Sequence, residues 1–265
     1  MQNMILASAT LSDAATITGT TGAGDLSIGN LQKMDLKAVY RVIGDTVSLT
    51  IDLLNSKEIN LVALIAHNCS AAASVRVRAS NTNDAGTAPY DTGLLPARSN
   101  QTGFSDSGYP LEKNMFLSFF SAQTYRYWFI DVVDTGAEYI DIGRLYISNA
   151  FQPETNMDYG LAEGVVDPSR VSRVVSGGKV PREFVKYKTA DFALGYSNEA
   201  EMFGKIYALE LACGRTKDVL FVPDPDAKDF LQIRSYYGTM EIINPKVNYQ
   251  FSLFNKAFRI EEIPV

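Results

Sequence analysis

The chain has 265 residues, 46% of them hydrophobic and 20% charged, with a net charge of −6 and a pI near 4.9. Such a length buries a substantial core without staples and admits one large β domain or two ordinary ones. The acidic balance argues against nonspecific duplex-DNA binding, and Cys69 and Cys213 lie too far apart to suggest a disulfide framework or a paired metal motif. The first residues lack the basic start of a secretory signal, and no apolar run has the length of a membrane span. The expectation is a soluble, unprocessed chain with two buried, reduced thiols.

Taken in order, Ala14–Thr20 reads as a short strand and Thr20–Asp25 (TTGAGD) as a turn. That glycine cluster lacks the Lys-Ser/Thr that closes a phosphate loop, so no nucleotide cofactor is expected. Leu31–Tyr40 is a short strand or turn. Thr46–Leu54 alternates Val47, Leu49, Ile51 and Leu53 with polar residues, the pattern of a strand with one buried face. After a polar connection at Asn55–Glu58, the stretch Ile59–Ser80 is a buried strand, a polar turn through His67, Asn68, Cys69 and Ser70, and a second strand with Arg76 and Arg78 on its wet face.

Asn81–Tyr109 is dense in Asn, Gly, Asp, Pro and Ser and reads as a long loop. Its aromatics, Tyr90, Phe104 and Tyr109, are candidate glycan or partner contacts, or else pin the loop to the domain. Tyr125–Val133 and Tyr139–Ser148 are strands expected to pair across the Asp134-Thr-Gly-Ala turn. Several short strands with long loops and no long helix describe a β-sandwich or jelly roll over residues 1–152.

The remainder, 153–265, changes character. Asp158–Lys179 is a polar, Gly-containing bridge whose Arg170, Arg173 and Lys179 make a basic arm, a candidate subunit contact. Phe184–Tyr196 is a strand. Asn198 and Glu201 have capping-box spacing, Met202, Phe203, Ile206, Tyr207, Leu209 and Cys213 share a helical face, and Gly214 suits the C-cap. Three strands follow, at Lys217–Val222, Leu231–Ile243 and Val247–Ile263. The sum is a smaller α+β domain, one amphipathic helix packed on an antiparallel sheet.

Catalytic constellations are sparse. A Ser-His-Asp or Cys-His site would need His67, the one histidine, and Cys69 two residues on. A structural turn histidine is the simpler expectation. One histidine and two cysteines make no zinc site. Asp131, Asp134, Glu138 and Asp141 cluster like calcium ligands but lack a helix-loop-helix ligand order, so a solvated hairpin end is expected. No metal, no cofactor and no enzymatic activity are expected.

The phrases LVALIAHNCSAAASVRVRASN, YRYWFIDVVDTGAEYIDIGRLYISNAFQP, VDPSRVSRVVSGGKVPREF and KDVLFVPDPD with LQIRSYYG resemble minor tail proteins of long-tailed bacteriophages, over most of the chain from about residue 45. The first part is similar to galactose-binding-like jelly rolls, the second to the ring-forming domain of distal tail proteins. The resemblance implies a virion protein made in the host cytoplasm. It would form a symmetric ring with copies of itself, usually sixfold, between the tail tube protein and the tail-tip hub protein, and offer a platform for tail fibres. It implies no membrane partner and no sequence-specific nucleic acid. The alternative is a carbohydrate-binding module or receptor-recognition part of the tail.

Overall fold

A computed structural model describes residues 2–98, 114–227 and 230–264. The chain divides into two compact units, Met1–Gln152 with Val222–Ser235 and Val265, and Pro153–Phe221 with Tyr236–Pro264.

The first unit contains β1 (Ile5–Ser8), β2 (Thr16–Gly19), β3 (Tyr40–Ile43), β4 (Thr46–His67), β5 (Ser74–Ser80), β6 (Tyr90–Pro96), β7 (Asn114–Val133) and β8 (Tyr139–Ser148). Two of these strands, β4 and β7, are long because each serves two layers. Their early and late halves pair antiparallel, Thr46–Asp52 with Tyr127–Val133 and Lys57–His67 with Asn114–Tyr125, and the register breaks between Asp52 and Lys57. Leu54, at φ 66°, sits in that break. One layer runs β2–β4–β7–β5–β6 through the outer halves. The other runs β3–β8–β4–β7 through the inner halves. Strands that bend at bulges and pass from sheet to sheet make the corners of a sandwich. A single apolar cluster unites the facing sides, with Val47, Leu49, Ile51, Val77, Trp128 and Ile130 from one layer and Val62, Leu64, Phe116, Ile142 and Ile147 from the other. The chain is therefore mainly β, with an antiparallel sandwich first.

Two sequence expectations change here. Tyr90–Pro96 is a strand inside the supposed long loop, paired with β5 from Ser74↔Pro96 to Ala79↔Tyr90. Its polar Asp91, Thr92 and Gly93 are those of an edge strand, which needs only one covered side. The second change concerns β7 and β8, which do not pair as a hairpin. The Asp134-Thr-Gly-Ala turn carries the chain between layers, so β8 pairs with β3 and β4 instead. On β5 the wet face is the expected one, with Val75 and Val77 buried and Arg76 and Arg78 partly exposed, and there Arg76 meets Asp91 and Arg78 meets Asp131. Within β8 the core-facing residues slip phase at Gly143, from Ile140 and Ile142 to Leu145 and Ile147. A Cβ on Gly143 would stand 3.0 Å from the Ala66 Cβ, and Ala66 itself has φ 57°. The glycine marks an irregularity where a side chain would force its neighbours to shift.

The second unit contains β9 (Ala162–Val166), β10 (Arg170–Arg173), β11 (Lys179–Arg182), β12 (Tyr187–Asn198), β13 (Asp218–Val222, of which Val222 falls in the first unit), β14 (Tyr236–Ile243), β15 (Val247–Gln250) and β16 (Leu253–Glu262). Its sheet runs β13–β14–β16–β12–β9, all antiparallel, with β15 folded back on β16. The helical run starts at Glu199 and ends at Cys213, with a π-helical turn at Met202–Ile206. Its capping box is formed: the Asn198 side chain accepts from the Glu201 N–H, and the Glu201 carboxylate accepts from the Asn198 N–H. Met202, Ile206 and Cys213 are buried, whereas Phe203 and Tyr207 are exposed, so the apolar face is narrower than the sequence suggests. The helix is tied to the sheet by Glu210, whose carboxylate meets the buried ammonium of Lys256 and, at 3.5 Å, that of Lys246. Beneath it Phe192 stacks on Phe221 and Phe258, with ring centroids 4.2 and 5.0 Å apart.

Two further expectations change in this half. Leu231–Ile243 is not one strand, because Leu231–Arg234 is a helical turn that precedes β14. Val247–Ile263 is likewise not continuous, because the chain reverses at Phe251-Ser252, with Ser252 at φ 58°.

Candidate functional site

His67 is buried and its Nδ1 accepts from the Cys69 backbone N–H at 3.3 Å. Burial lowers its pKa from 6.5 to about 4. Burial raises the Cys69 thiol to about 12. A base that stays neutral and a thiol that stays protonated do not make a nucleophilic pair. The turn is closed instead by Asp134, which accepts from the Ser70 N–H at 2.7 Å and the Ser70 hydroxyl at 2.5 Å.

Two of the other carboxylates of that acidic cluster are likewise engaged, each with its own partners. Asp141 takes the Arg41 guanidinium in a two-pronged contact at 2.7 Å, and Asp131 takes Arg78 and the Ser48 hydroxyl. Among the described residues no group of three or more His, Cys, Asp or Glu is placed to hold a metal ion.

Of the three loop aromatics, Tyr90 is half-buried, its ring centroid 5.2 Å from Phe120 and 5.9 Å from Trp128. It packs onto the sandwich as part of β6. Phe104 and Tyr109 lie outside the described residues.

The basic arm has a defined shape. Residues expected as a flexible bridge form a two-stranded hairpin, β10 against β11, with Arg170 opposite Arg182 and Arg173 opposite Lys179. Its tip closes where the Gly177 N–H donates to the Val174 carbonyl at 2.8 Å, with Gly177 at φ 83°, a conformation glycine adopts without strain. At the base, the Ser169 hydroxyl accepts from the Phe184 N–H at 3.0 Å. Every residue of both strands is exposed, including Val171 and Val180, and Val175 stands free at the tip. The structure thus brings Arg170, Arg173 and Lys179 together on one projecting element.

A second feature escaped the sequence. On the side of the second sheet away from the helix, Ala193 and Gly195 of β12 and Ala257 of β16 leave a trough. It comprises two adjoining openings of about 360 and 350 Å3 that share Asp158. The Asp158 backbone N–H donates to the Ala193 carbonyl at 2.9 Å, and its carboxylate lies so close over Gly195 that any Cβ there would overlap it. Tyr159, Tyr196 and Tyr249 are exposed along it, the last two in an edge-to-face pair 6.2 Å apart. Toward the other end Arg259 lies 3.7 Å from Asp191 and also contacts Glu241. The alternation Asp191-Phe192-Ala193-Leu194-Gly195 carries the signal, large residues inward and small or acidic ones outward. It becomes informative only once the inward side is known.

No protein-family model and no curated protein matches this chain. Solved structures with a similar fold include a CBM32 module of Clostridium perfringens in complex with GalNAc-β-1,3-galactose, at 9% identity. It matches over 53% of this chain and 99% of that one, at a TM-score of 0.41. Another is the CBM32 of AlyQ in complex with 4,5-unsaturated mannuronic acid, at 18% identity, over 51% of this chain and 94% of that one, at a TM-score of 0.36. A third is a fucose-binding module of Streptococcus pneumoniae, at 9% identity, over 52% and 96%, at a TM-score of 0.38. These likenesses span about half of the chain and carry over neither a ligand nor a residue role.

Proposed function

We propose that this chain is a non-catalytic structural protein that acts by assembling with copies of itself. The carrying observation is the exposed hairpin Arg170–Arg182. A lone two-stranded ribbon is at best marginal in water, and this one leaves valines uncovered on both strands and at its tip. Such an element gains its stability by docking. The resemblance of the chain to phage tail proteins supplies the finer reading, a distal tail ring in the virion that joins tail tube to hub and carries fibres. Head-to-tail contact through one projecting element is the geometry that closes rings.

The test is the mass and shape of the full chain, by mass photometry and negative-stain imaging. A symmetric oligomer is expected. Replacing residues 170–182 by a short Gly-Ser link should give a folded monomer with the β-rich circular dichroism unchanged. A wild-type chain that stays monomeric at all concentrations and is absent from purified phage particles refutes the proposal.

The second reading is a carbohydrate-binding module. It is the reading to which the named sugar-binding structures belong, though their distance brings no sugar site with it. It predicts saccharide binding by the monomer on a glycan array, weakened by Tyr109→Ala or Phe104→Ala. An array without binding sinks it.

A further inference from the structure

We propose that the trough beside Asp158 receives the hairpin arm of a second copy of this chain, an inference that rests on the assembly reading above. Charge complementarity argues for it. Residues 168–186 hold Arg170, Arg173, Lys179, Arg182 and Lys186 against Glu183, a net +4. The chain total of −6 therefore leaves −10 for everything else. The trough is one place where that acidity meets an uncovered apolar surface. Asp191 and Glu241 share Arg259, and Asp158, which lines the same opening as Asp191 and Arg259, has no ion-pair partner among the described residues.

The shapes correspond as well. The arm offers guanidinium and ammonium groups interleaved with Val171, Val174, Val175 and Val180. The trough offers carboxylates interleaved with the rings of Tyr159, Tyr196 and Tyr249, whose faces accept cations and whose edges pack against valine. Gly195 keeps the Asp158 carboxylate drawn down onto the sheet, so the acceptor charge sits at the floor between the two openings. Donor and acceptor are different surfaces of one chain. The contact is heterologous, and it propagates from copy to copy until the rotation closes.

The experiment mixes two singly substituted full-length chains, Val175→Cys at the arm tip and Tyr196→Cys in the trough, under mild oxidation. A disulfide-linked heterodimer is expected from the mixture and from neither chain alone, since Cys69 and Cys213 are buried. In parallel, Arg170→Glu with Arg173→Glu and Lys179→Glu should weaken self-association about tenfold, as expected for a few exposed pairs. Mixing that variant with Asp158→Lys/Asp191→Lys chains should recover part of the loss. Oligomers that persist without a mixed disulfide overturn the arm-to-trough contact and leave the assembly reading standing. A chain monomeric under all conditions overturns both. An oligosaccharide that shields the thiol at position 196 of a monomer from alkylation makes the trough a sugar site and overturns the proposal.

Discussion

Glu210 is the residue whose loss the second unit should feel most. Its carboxylate, 6% exposed, is the counter-charge for Lys256, whose ammonium is 1% exposed, and for Lys246 at 3.5 Å. Lys256 also donates to the Asn244 carbonyl. Glu210→Ala therefore strands a buried ammonium with one neutral acceptor. Breaking a buried pair from one side costs about 3–5 kcal/mol. The ceiling is the cost of stripping the proton from a free lysine at pH 7, about 4–5 kcal/mol. Because Lys246 is partly in water and softens the loss, about 3 kcal/mol is the expected figure. In a unit of about 100 residues this lowers the midpoint by roughly 10–20 °C. Calorimetry of the whole chain measures it. Hydrogen exchange of the β12 and β16 amides assigns the transition to the second unit, since two units need not melt as one. Glu210→Leu with Lys256→Met should recover most of the loss, because an apolar pair of similar volume removes both desolvation costs. A cost below about 1 kcal/mol for Glu210→Ala, typical of an exposed pair, refutes the reasoning. So does a double variant no better than the single.

The remaining predictions concern the first unit. His67 has a folded pKa of about 4 against an ordinary 6.5, so the unfolded chain binds its proton first. Stability is then independent of this group above pH 7 and falls as pH drops from about 6.5 to about 4, by about 3 kcal/mol in all. His67→Gln should flatten that slope in urea titrations, and an unchanged slope would place the proton elsewhere. Asp13→Ala removes the two-pronged carboxylate contact, at 2.6 and 2.9 Å, of Arg144, whose side chain is 1% exposed and which also donates to the Leu31 carbonyl at 3.4 Å. With Asp13 itself partly in water, the loss in a denaturant titration should be about 2–3 kcal/mol, and no measurable loss would contradict it. Tyr90→Ala should cost about 1–3 kcal/mol, the packing of a half-buried aromatic on Phe120 and Trp128. A thermally silent Tyr90→Ala would return Tyr90 to the list of partner contacts. Both thiols should resist a disulfide reagent in the native protein and react at once in guanidinium.

Elements with a strong local period were legible. Thr46–Leu54 buries Val47, Leu49, Ile51 and Leu53 as its alternation demands, and β8 spans Tyr139–Ser148 as expected. The capping box at Asn198 and Glu201 is present because it is a contact within four residues, specified by sequence alone. What escaped depends on distant partners. The bend shared by β4 and β7 is visible only when both strands are paired, so the neighbours of β8 were misassigned. The strand Tyr90–Pro96 has no apolar alternation of its own and exists because β5 offers an open edge. The reversal at Phe251-Ser252 needs a positive φ at a serine, which no turn signal announces. The trough escaped for a related reason. Its Asp158 and Tyr159 come from one segment and its Tyr196 and Tyr249 from two others, and its floor of Ala193, Gly195 and Ala257 has no side chain large enough to attract notice.

The strands β5 and β10 carry similar residue types in different settings. Valine alternates strictly with arginine in β5, at Val75, Arg76, Val77 and Arg78, whereas β10 and the residue after it read Arg170, Val171, Ser172, Arg173 and Val174, which puts Val171 with Arg173 on one face and Arg170 with Val174 on the other. Valine suits a pleated surface in either strand, but only β5 gathers its valines on one face. In β5 the valines are buried under the sandwich and the arginines hold Asp91 and Asp131 across the neighbouring strands. In β10 both faces lie open, with Val171 in water and Arg170 and Arg173 facing other cations across the hairpin. Like charges directly opposite one another destabilise a ladder, so this ribbon is worse off alone than its composition suggests. An acidic surface with apolar relief corrects both faults at once, covering the valines and neutralising the cation pairs. The net charge of +4 on residues 168–186, against −10 on the rest of the chain, is the ground for proposing a second copy as that surface.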